Sequence, residues 1–247
     1  MFFFDCNVSF GRPSVPALSY AETAQTLLDE MDHNGIDEAL VTCAAQHDES
    51  PLIGNPLLIE QIKGQPRLHP AWAILPAQTG EMPVDDLLAG MRENSVRALW
   101  AWPAEHHYLL DVMTFGPLLE TLVARRIPLF VPLTEFGWSA IGALLADFPE
   151  LTLVATDQSV WGEDRYFRPL IEKYPNLYLE TSHYELAHGL RDFVNTYGAE
   201  RWLFGSQYPT RYMGGALMQL LHTDIDTDAI AAIAGGNLKR LLTEVRL

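Results

Sequence analysis

Along the whole chain, short apolar runs alternate with longer stretches in which apolar positions recur every three or four residues. The short runs read as strands and the longer ones as amphipathic helices. Strands are predicted at residues 2–5, 39–43, 70–75, 96–102, 128–131, 151–156, 177–181 and 202–205. Between them, Ser19 with Glu22 three residues later fits a capping box for a helix closing near Asn34-Gly35. Asn55-Pro56 reads as a cap and first-turn proline of a helix ending near Gly64. Asp85 and Asp86 suit the first turn of a helix opened by Pro83, where the dipole favours acids. Further helices are predicted from Pro117 to Arg126, from Ser139 to Asp147, through Phe167, Leu170, Ile171 and Tyr174, and through Leu186, Leu190, Phe193, Val194 and Tyr197. The remainder after residue 205 reads as helical with a break at Gly235-Gly236.

Eight such units, each of about 30 residues, point to a parallel sheet closed on itself, a (β/α)8 barrel, which typically takes about 250 residues. The 247-residue chain fits that length as one domain, 1–247, with no linker or repeat to divide it. A doubly wound open sheet has the same local pattern and is the competing architecture. No G-x-G-x-x-G or G-x-x-x-x-G-K-[ST] follows a strand, so nucleotide binding of those kinds is not indicated.

The formal net charge of −16 argues against nucleic acid as a partner, because phosphate binding needs clustered Lys and Arg. It reads as a solvated acidic surface, or as an attraction for cationic substrates. Met1-Phe2-Phe3-Phe4 is stopped by Asp5, too soon for a signal peptide or membrane span. Cys6 and Cys43 are too few for a disulfide framework and are expected as buried thiols of a cytoplasmic protein.

Three segments carry a resemblance: YPNLYLETS from Tyr174, GAERWLFGSQYP from Gly198, and Gly236-Asn237-Leu238-Lys239-Arg240-Leu241-Leu242. In this order and spacing the chain resembles the amidohydrolase-2 branch of the amidohydrolase superfamily. The resemblance implies a TIM barrel of metal-dependent hydrolase type, often dimeric, so a homodimer is an expected assembly. It also implies a metal held by two histidines after the first strand, histidines ending strands five and six, and an aspartate after strand eight. Here those positions carry Asn7 and Ser9, Pro132, Thr156 with Asp157 next to it, and Gln207. Neutral oxygens are poor zinc ligands beside imidazole, thiolate or carboxylate. The expectation is therefore no metal site and no cofactor.

In a barrel of this kind the strand ends and following loops supply the functional groups. That face is expected to present Asn7, Ser9, His47, Trp102, Glu105, His106, His107, Thr134, Glu135, Thr156, Asp157, Glu180, Ser182, His183, Gln207, Tyr208 and Arg211, a polar set rimmed by aromatics. Asp157 is the candidate general base, since desolvation after an apolar strand raises a carboxyl pKa; the plainer role is a turn cap. His106 or His183 is the candidate proton shuttle, against a solvent-exposed or loop-bonding histidine. Gln207 with Asn7 can hydrogen-bond a polarised carbonyl. Arg211 can clamp a substrate carboxylate, or form a surface salt bridge. Glu180 is either part of the site or a structural acid paired with Arg97 or Arg211. Trp100, Trp102 and Trp138 line a pocket or fill the core. Period-two alternation turns Cys6 toward the helices.

Two functional classes follow. One is a metal-independent hydrolase or lyase acting on a small carboxylated or aromatic molecule. The other is a catalytically inactive barrel that binds a ligand or regulates as a subunit.

Overall fold

The computed structural model describes residues 1–15 and 19–247. Its strands are β1 (Phe4–Phe10), β2 (Glu38–Cys43), β3 (Leu68–Ala73), β4 (Ala98–Trp100), β5 (Leu129–Pro132), β6 (Leu153–Thr156), β7 (Leu177–Glu180) and β8 (Trp202–Leu203). They pair in chain order, each parallel to the next. The ring is completed where the Cys6 N–H donates to the Phe204 carbonyl at 2.9 Å and the Ser9 N–H to the Tyr208 carbonyl at 2.8 Å. This backbone joint makes the molecule a (β/α)8 barrel rather than an open sheet.

Alternation along each strand sorts side chains into two layers. One set faces the helices and includes Val41, Leu99, Val131, Leu177 and Leu179. The other fills the barrel with Phe4, Leu40, Ala71, Ala73, Ala98, Trp100, Phe130, Val154, Tyr178 and Leu203. The three alanines leave room for the indole of Trp100, which stacks on Phe130 and on Trp102 at centroid distances of 5.2 and 5.5 Å.

Cys6 belongs to this interior layer, contrary to the alternation argument. The reason is a bulge: Asp5 pairs with Ala39 but Val8 with Val41, so β1 holds one extra residue between them. Cys6 and Asn7 then share the inner side. The Asp5 carboxylate takes up the displaced amides, accepting from Asn7 N–H at 3.1 Å and from Ser206 N–H at 2.9 Å.

The helices are α1 (Ala24–Asn34), α2 (Ala44–Asp48), α3 (Pro51–Gln61), α4 (Val84–Glu93), α5 (Val112–Arg125), α6 (Leu133–Asp147), α7 (Asp164–Lys173), α8 (Gly189–Tyr197), α9 (Met213–Leu221), α10 (Thr227–Ala231) and α11 (Asn237–Glu244). Several begin elsewhere than the pattern suggests. α1 opens at Thr23, whose side chain exchanges capping bonds with Thr26, so Ser19 and Glu22 lie in the loop before it. α3 is capped by Ser50 with Pro51 in its first turn, which places Asn55-Pro56 inside the helix. The buried Asn55 side chain instead bonds both the N–H and the carbonyl of Ala73 at 2.9 Å. α5 starts at an Asp111 cap, ahead of Pro117. α6 begins directly after β5 and kinks at Gly137, φ 71°, so a first turn carrying Thr134 and Glu135 sits at the strand end. The expected break at Gly235-Gly236 is a π-helical turn, Ala232–Gly236, that runs straight into α11. Cys6 and Cys43 are free and buried. No described helix is long and apolar enough to cross a membrane.

Candidate functional site

The C-terminal ends of the strands open into a cavity of about 1060 Å³. Asn7 and Ser9 enter it from β1, His47 from α2, Trp100 and Trp102 from β4 and its loop, and Thr134 and Glu135 from the first turn of α6. Asp157 closes β6, and Gln207, Tyr208 and Arg211 follow β8. The segments that leave β6 and β8 share a device: Asp157, next after β6, and Gln207, four residues past β8, both take the left-handed conformation, at φ 56° and 58°. Such non-glycine positions are uncommon and worth a structural reason. Here they mark the points where the chain leaves the barrel wall and both side chains meet the cavity.

The Asp157 carboxylate accepts a hydrogen bond from Asn7 Nδ2 at 3.1 Å. Burial lifts its pKa to about 6 against the Asn7 bond, and the nearby Glu135 charge adds to the rise. The carboxyl is therefore ionised at neutral pH yet more basic than an ordinary aspartate. On the same wall, His47 is pushed the other way. Its Nε2 lies 3.4 Å from Glu135 Oε1 and its Nδ1 2.7 Å from Asp48 Oδ1. Glu135, with help from Asp48, raises the imidazole to about 9 against the effect of burial. Its ring meets Trp102 edge-on at 5.3 Å. A basic carboxylate and a charged imidazole thus share one cavity, with their pKa values drawn to either side of neutrality.

Beneath the floor lies a second group of acids. Glu180 is fully buried and accepts from Ser182 N–H at 2.6 Å, from Ser182 Oγ at 2.9 Å and from Asp157 N–H at 3.4 Å. Among the described residues it has no cationic partner. Arg97 bonds the Leu242 carbonyl at 3.0 Å, and Arg211 bonds the Ser182 carbonyl at 3.3 Å and the Glu185 carboxylate. Burial, and then the Asp157 charge, raise Glu180 to about 8. Burial likewise raises Asp5 to about 7, and its Oδ2 has no partner among the described residues. The Cys6 thiol among them is pushed well above its ordinary range, first by burial and then by the Glu180 charge. A thiol so disfavoured as thiolate is a packing group rather than a nucleophile.

The cavity wall gathers Asn7, Ser9, Trp102, Asp157, Gln207, Tyr208 and Arg211, but not His106, His183 or Glu180. His106 lies edge-on to Trp102 with Nε2 3.1 Å from the His47 carbonyl, and burial lowers its pKa. His107 beside it is exposed. Burial, then Arg211, lower His183, whose Nε2 is buried without a partner among the described residues. Trp138 sits among the helices, its indole N–H donating to Glu163 at 2.6 Å. The role of His47 is what the residue pattern does not announce. Only its Asp48 partner is adjacent in sequence, and Glu135 comes from another βα loop.

The positions that the resemblance assigns to metal ligands do not fit a divalent cation. Pro132 has no side-chain donor, and Asn7, Ser9, Thr156 and Gln207 offer only neutral oxygens, poor ligands for zinc beside imidazole, thiolate or carboxylate. Among the described residues, no three His, Cys, Asp or Glu side chains are grouped to hold a metal ion.

An amidohydrolase family model matches residues 16–243. Solved structures share the fold over nearly their whole length. An uncharacterised TIM-barrel protein from Bordetella bronchiseptica is 22% identical, with 99% of each chain covered and a TM-score of 0.76. A dihydroxybenzoic acid decarboxylase from Polaromonas, solved with manganese and the inhibitor 2-nitroresorcinol, is 16% identical; 100% of this chain and 98% of that one are covered, with a TM-score of 0.75. A probable 2-pyrone-4,6-dicarboxylic acid hydrolase from Acinetobacter baumannii, solved with citric acid, is 12% identical, with 98% and 100% covered and a TM-score of 0.72. No curated protein sequence matches the chain. With the family model spanning almost all of its residues, this chain belongs to the amidohydrolase family.

Proposed function

We propose that the chain is a metal-independent hydrolase of a small aromatic or carboxylated ester or lactone. The observation that carries the reading is the pairing of Asp157, at about 6, with His47, at about 9, in one open cavity. Between those values Asp157 is ionised and His47 is protonated, which is the arrangement general acid–base hydrolysis needs.

Asp157 takes a proton from water as the water oxygen bonds to the acyl carbon. The ester C–O bond breaks, and the departing oxygen receives the His47 Nε2 proton. That proton faces Glu135 Oε1 at 3.4 Å. Gln207, which borders Asp157, donates to the acyl oxygen as it gains charge. Arg211, tethered by Ser182 and Glu185 and facing the cavity, receives a substrate carboxylate. Trp100 and Trp102 offer an aromatic wall. The lactone-type substrate is in keeping with the Acinetobacter pyrone hydrolase, a likeness of fold.

The experiment is a panel of aromatic esters, lactones and acids assayed with and without a chelator. Turnover indifferent to chelation is expected, with a bell-shaped kcat/KM rising through about 6 and falling through about 9. Activity that vanishes with chelator and returns with manganese or zinc overturns the metal-independent mechanism. Tight ligand binding with no turnover of any member favours the inactive-barrel alternative instead.

A further inference from the structure

The N-terminal end of the barrel is stoppered by α11. Leu238, Leu241 and Leu242 enter the interior layer beside Phe4, Leu40 and Tyr178. On the β7–β8 side the stopper is firmly fastened. Asn237 Nδ2 donates to the carbonyls of Ala199 and Trp202, both at 2.9 Å. Arg240 reaches the Tyr178 hydroxyl at 3.4 Å and the Glu200 carbonyl at 3.2 Å.

On the opposite side, over the starts of β1 to β4, the fit is loose. A cavity of about 360 Å³ separates α11 from the strands, and Arg97 spans it by donating to the Leu242 carbonyl at 3.0 Å. That volume lies at the low end of the ~300–1,000 Å³ range of small-ligand sites. The interior of the cavity is apolar, formed by Phe4, Leu40, Pro70 and Leu242. The Phe4 and His69 rings, both in its lining, lie 4.8 Å apart and are tilted by 45°.

The polar groups around this apolar centre are biased to positive charge. Arg97 and Lys239 both line the cavity, and neither forms a salt bridge among the described residues. Glu38 is the one acid in the lining, and its carboxylate is occupied by His69 Nε2 at 2.7 Å. Glu244 at the end of α11 is turned to Arg126 and Arg240. Two cations without a salt-bridge partner among the described residues, against one acid, face this cavity in a chain with a net charge of −16. Arg97 spends Nη1 on Leu242, and Lys239 Nζ rests 5.2 Å over the Phe2 ring.

We propose that this cavity is a second ligand site, for a small organic anion with a flat apolar body such as an aromatic carboxylate. The carboxylate lies between Arg97 and Lys239, and the ring fills the space between Phe4, Leu40 and Leu242. A ligand there bridges α11 to the first four strands and fastens the loose side of the stopper. The site is at the opposite end of the barrel from Asp157 and does not depend on the reading of the mouth.

The test uses benzoate as probe, with benzamide as the uncharged isostere and inorganic phosphate as the anion without an apolar body. It is done on the parent protein and on the Arg211→Met variant, so that a response at the mouth is told apart from one at the base. Millimolar benzoate is expected to raise Tm by about 2–4 °C, the shift that several-fold saturation produces in a chain of this size. It is also expected to shift the methyl resonances of Leu40 and Leu242. Benzamide and phosphate are expected to do neither, and Lys239→Met, which keeps the Arg97 tether, is expected to abolish the benzoate response. Equal responses to benzamide overturn the role of the cations, and equal responses to phosphate overturn that of the apolar body. Unmoved Leu40 and Leu242 methyls overturn the site itself.

Discussion

The two ends of the barrel are built from the same eight strands and are chemically opposite. At the mouth, four acids, Asp5, Asp157, Glu180 and Glu135, gather; His47 pairs with Glu135, and the other three are driven toward the protonated form by burial. At the base, Arg97 and Lys239 face an apolar gap left by a helix. The difference lies in what closes each end. Loops leaving the strands expose backbone N–H groups, which can hold buried carboxyls: Ser206 and Asn7 serve Asp5, and Ser182 and Asp157 serve Glu180. A helix laid across the base presents carbonyls at its C-terminal end, which attract cations instead, as Leu242 does Arg97. Backbone polarity, more than composition, decides which charge each end collects.

The largest expected effect is at the mouth. Asp157→Asn keeps the bond to Asn7 within reach of an amide oxygen but removes the base. A fall in kcat/KM of about 10²–10⁴-fold is expected, with the fold intact by circular dichroism. A variant that retains activity within a few-fold removes Asp157 from the chemistry and weakens the contrast between a working mouth and a binding base.

Next in size is the stability stored in buried protons. Glu180 rises from 4.5 to about 8 on folding, so the folded chain keeps a proton that the unfolded chain gives up. Its contribution is fully present below about 4.5 and is lost as pH rises through about 8. Thermal stability is therefore expected to decline across that window. Glu180→Gln, which cannot ionise, flattens the decline and stabilises the protein above the window by a few kcal/mol, roughly, at about 1.4 kcal/mol per pKa unit less local relaxation. A parallel pH dependence in variant and parent places the buried proton elsewhere.

A smaller effect tests how tightly that acid is housed. A Cβ at Gly205 would clash with Glu180 Oε1 and lie 2.6 Å from its Cγ. Gly205→Ala is expected to cost about 1–3 kcal/mol by overpacking, read from denaturant midpoints. In a Glu180→Ala background most of that cost should disappear. If it persists, the glycine serves its own backbone and not the acid.

Much of this architecture is legible in the residues because each strand and helix carries its own period. The errors have local causes. The extra residue in β1 breaks period two between Asp5 and Val8, which no alternation count anticipates, so Cys6 was expected on the wrong face. Cap chemistry occurs twice within one helical turn or so, at Ser19 and Thr23 and again at Ser50-Pro51 and Asn55-Pro56, and packing chooses between them. Arg97 as a partner for Glu180 could have been set aside from sequence alone. It precedes β4, whereas Glu180 ends β7, and in a parallel barrel those are opposite ends. The His47–Glu135 pair joins two loops that only barrel closure brings together, so pattern along the chain carries no sign of it.

The smallest expected effect is at the base, and it separates a ligand site from a structural fastener. Lys239 is exposed, forms no salt bridge among the described residues, and rests over the Phe2 ring as a cation–π partner. Such contacts are worth about 0.5–1 kcal/mol at exposed sites. Lys239→Met keeps the methylene stem against the surface, so without ligand its Tm should fall by no more than about 2 °C. A charge that the fold hardly needs, beside a cavity that the stopper helix does not fill, is free to meet a ligand. If the same substitution instead unfolds the protein several degrees earlier, Lys239 is part of what holds α11 in place, and the base is a seal with no spare charge to offer.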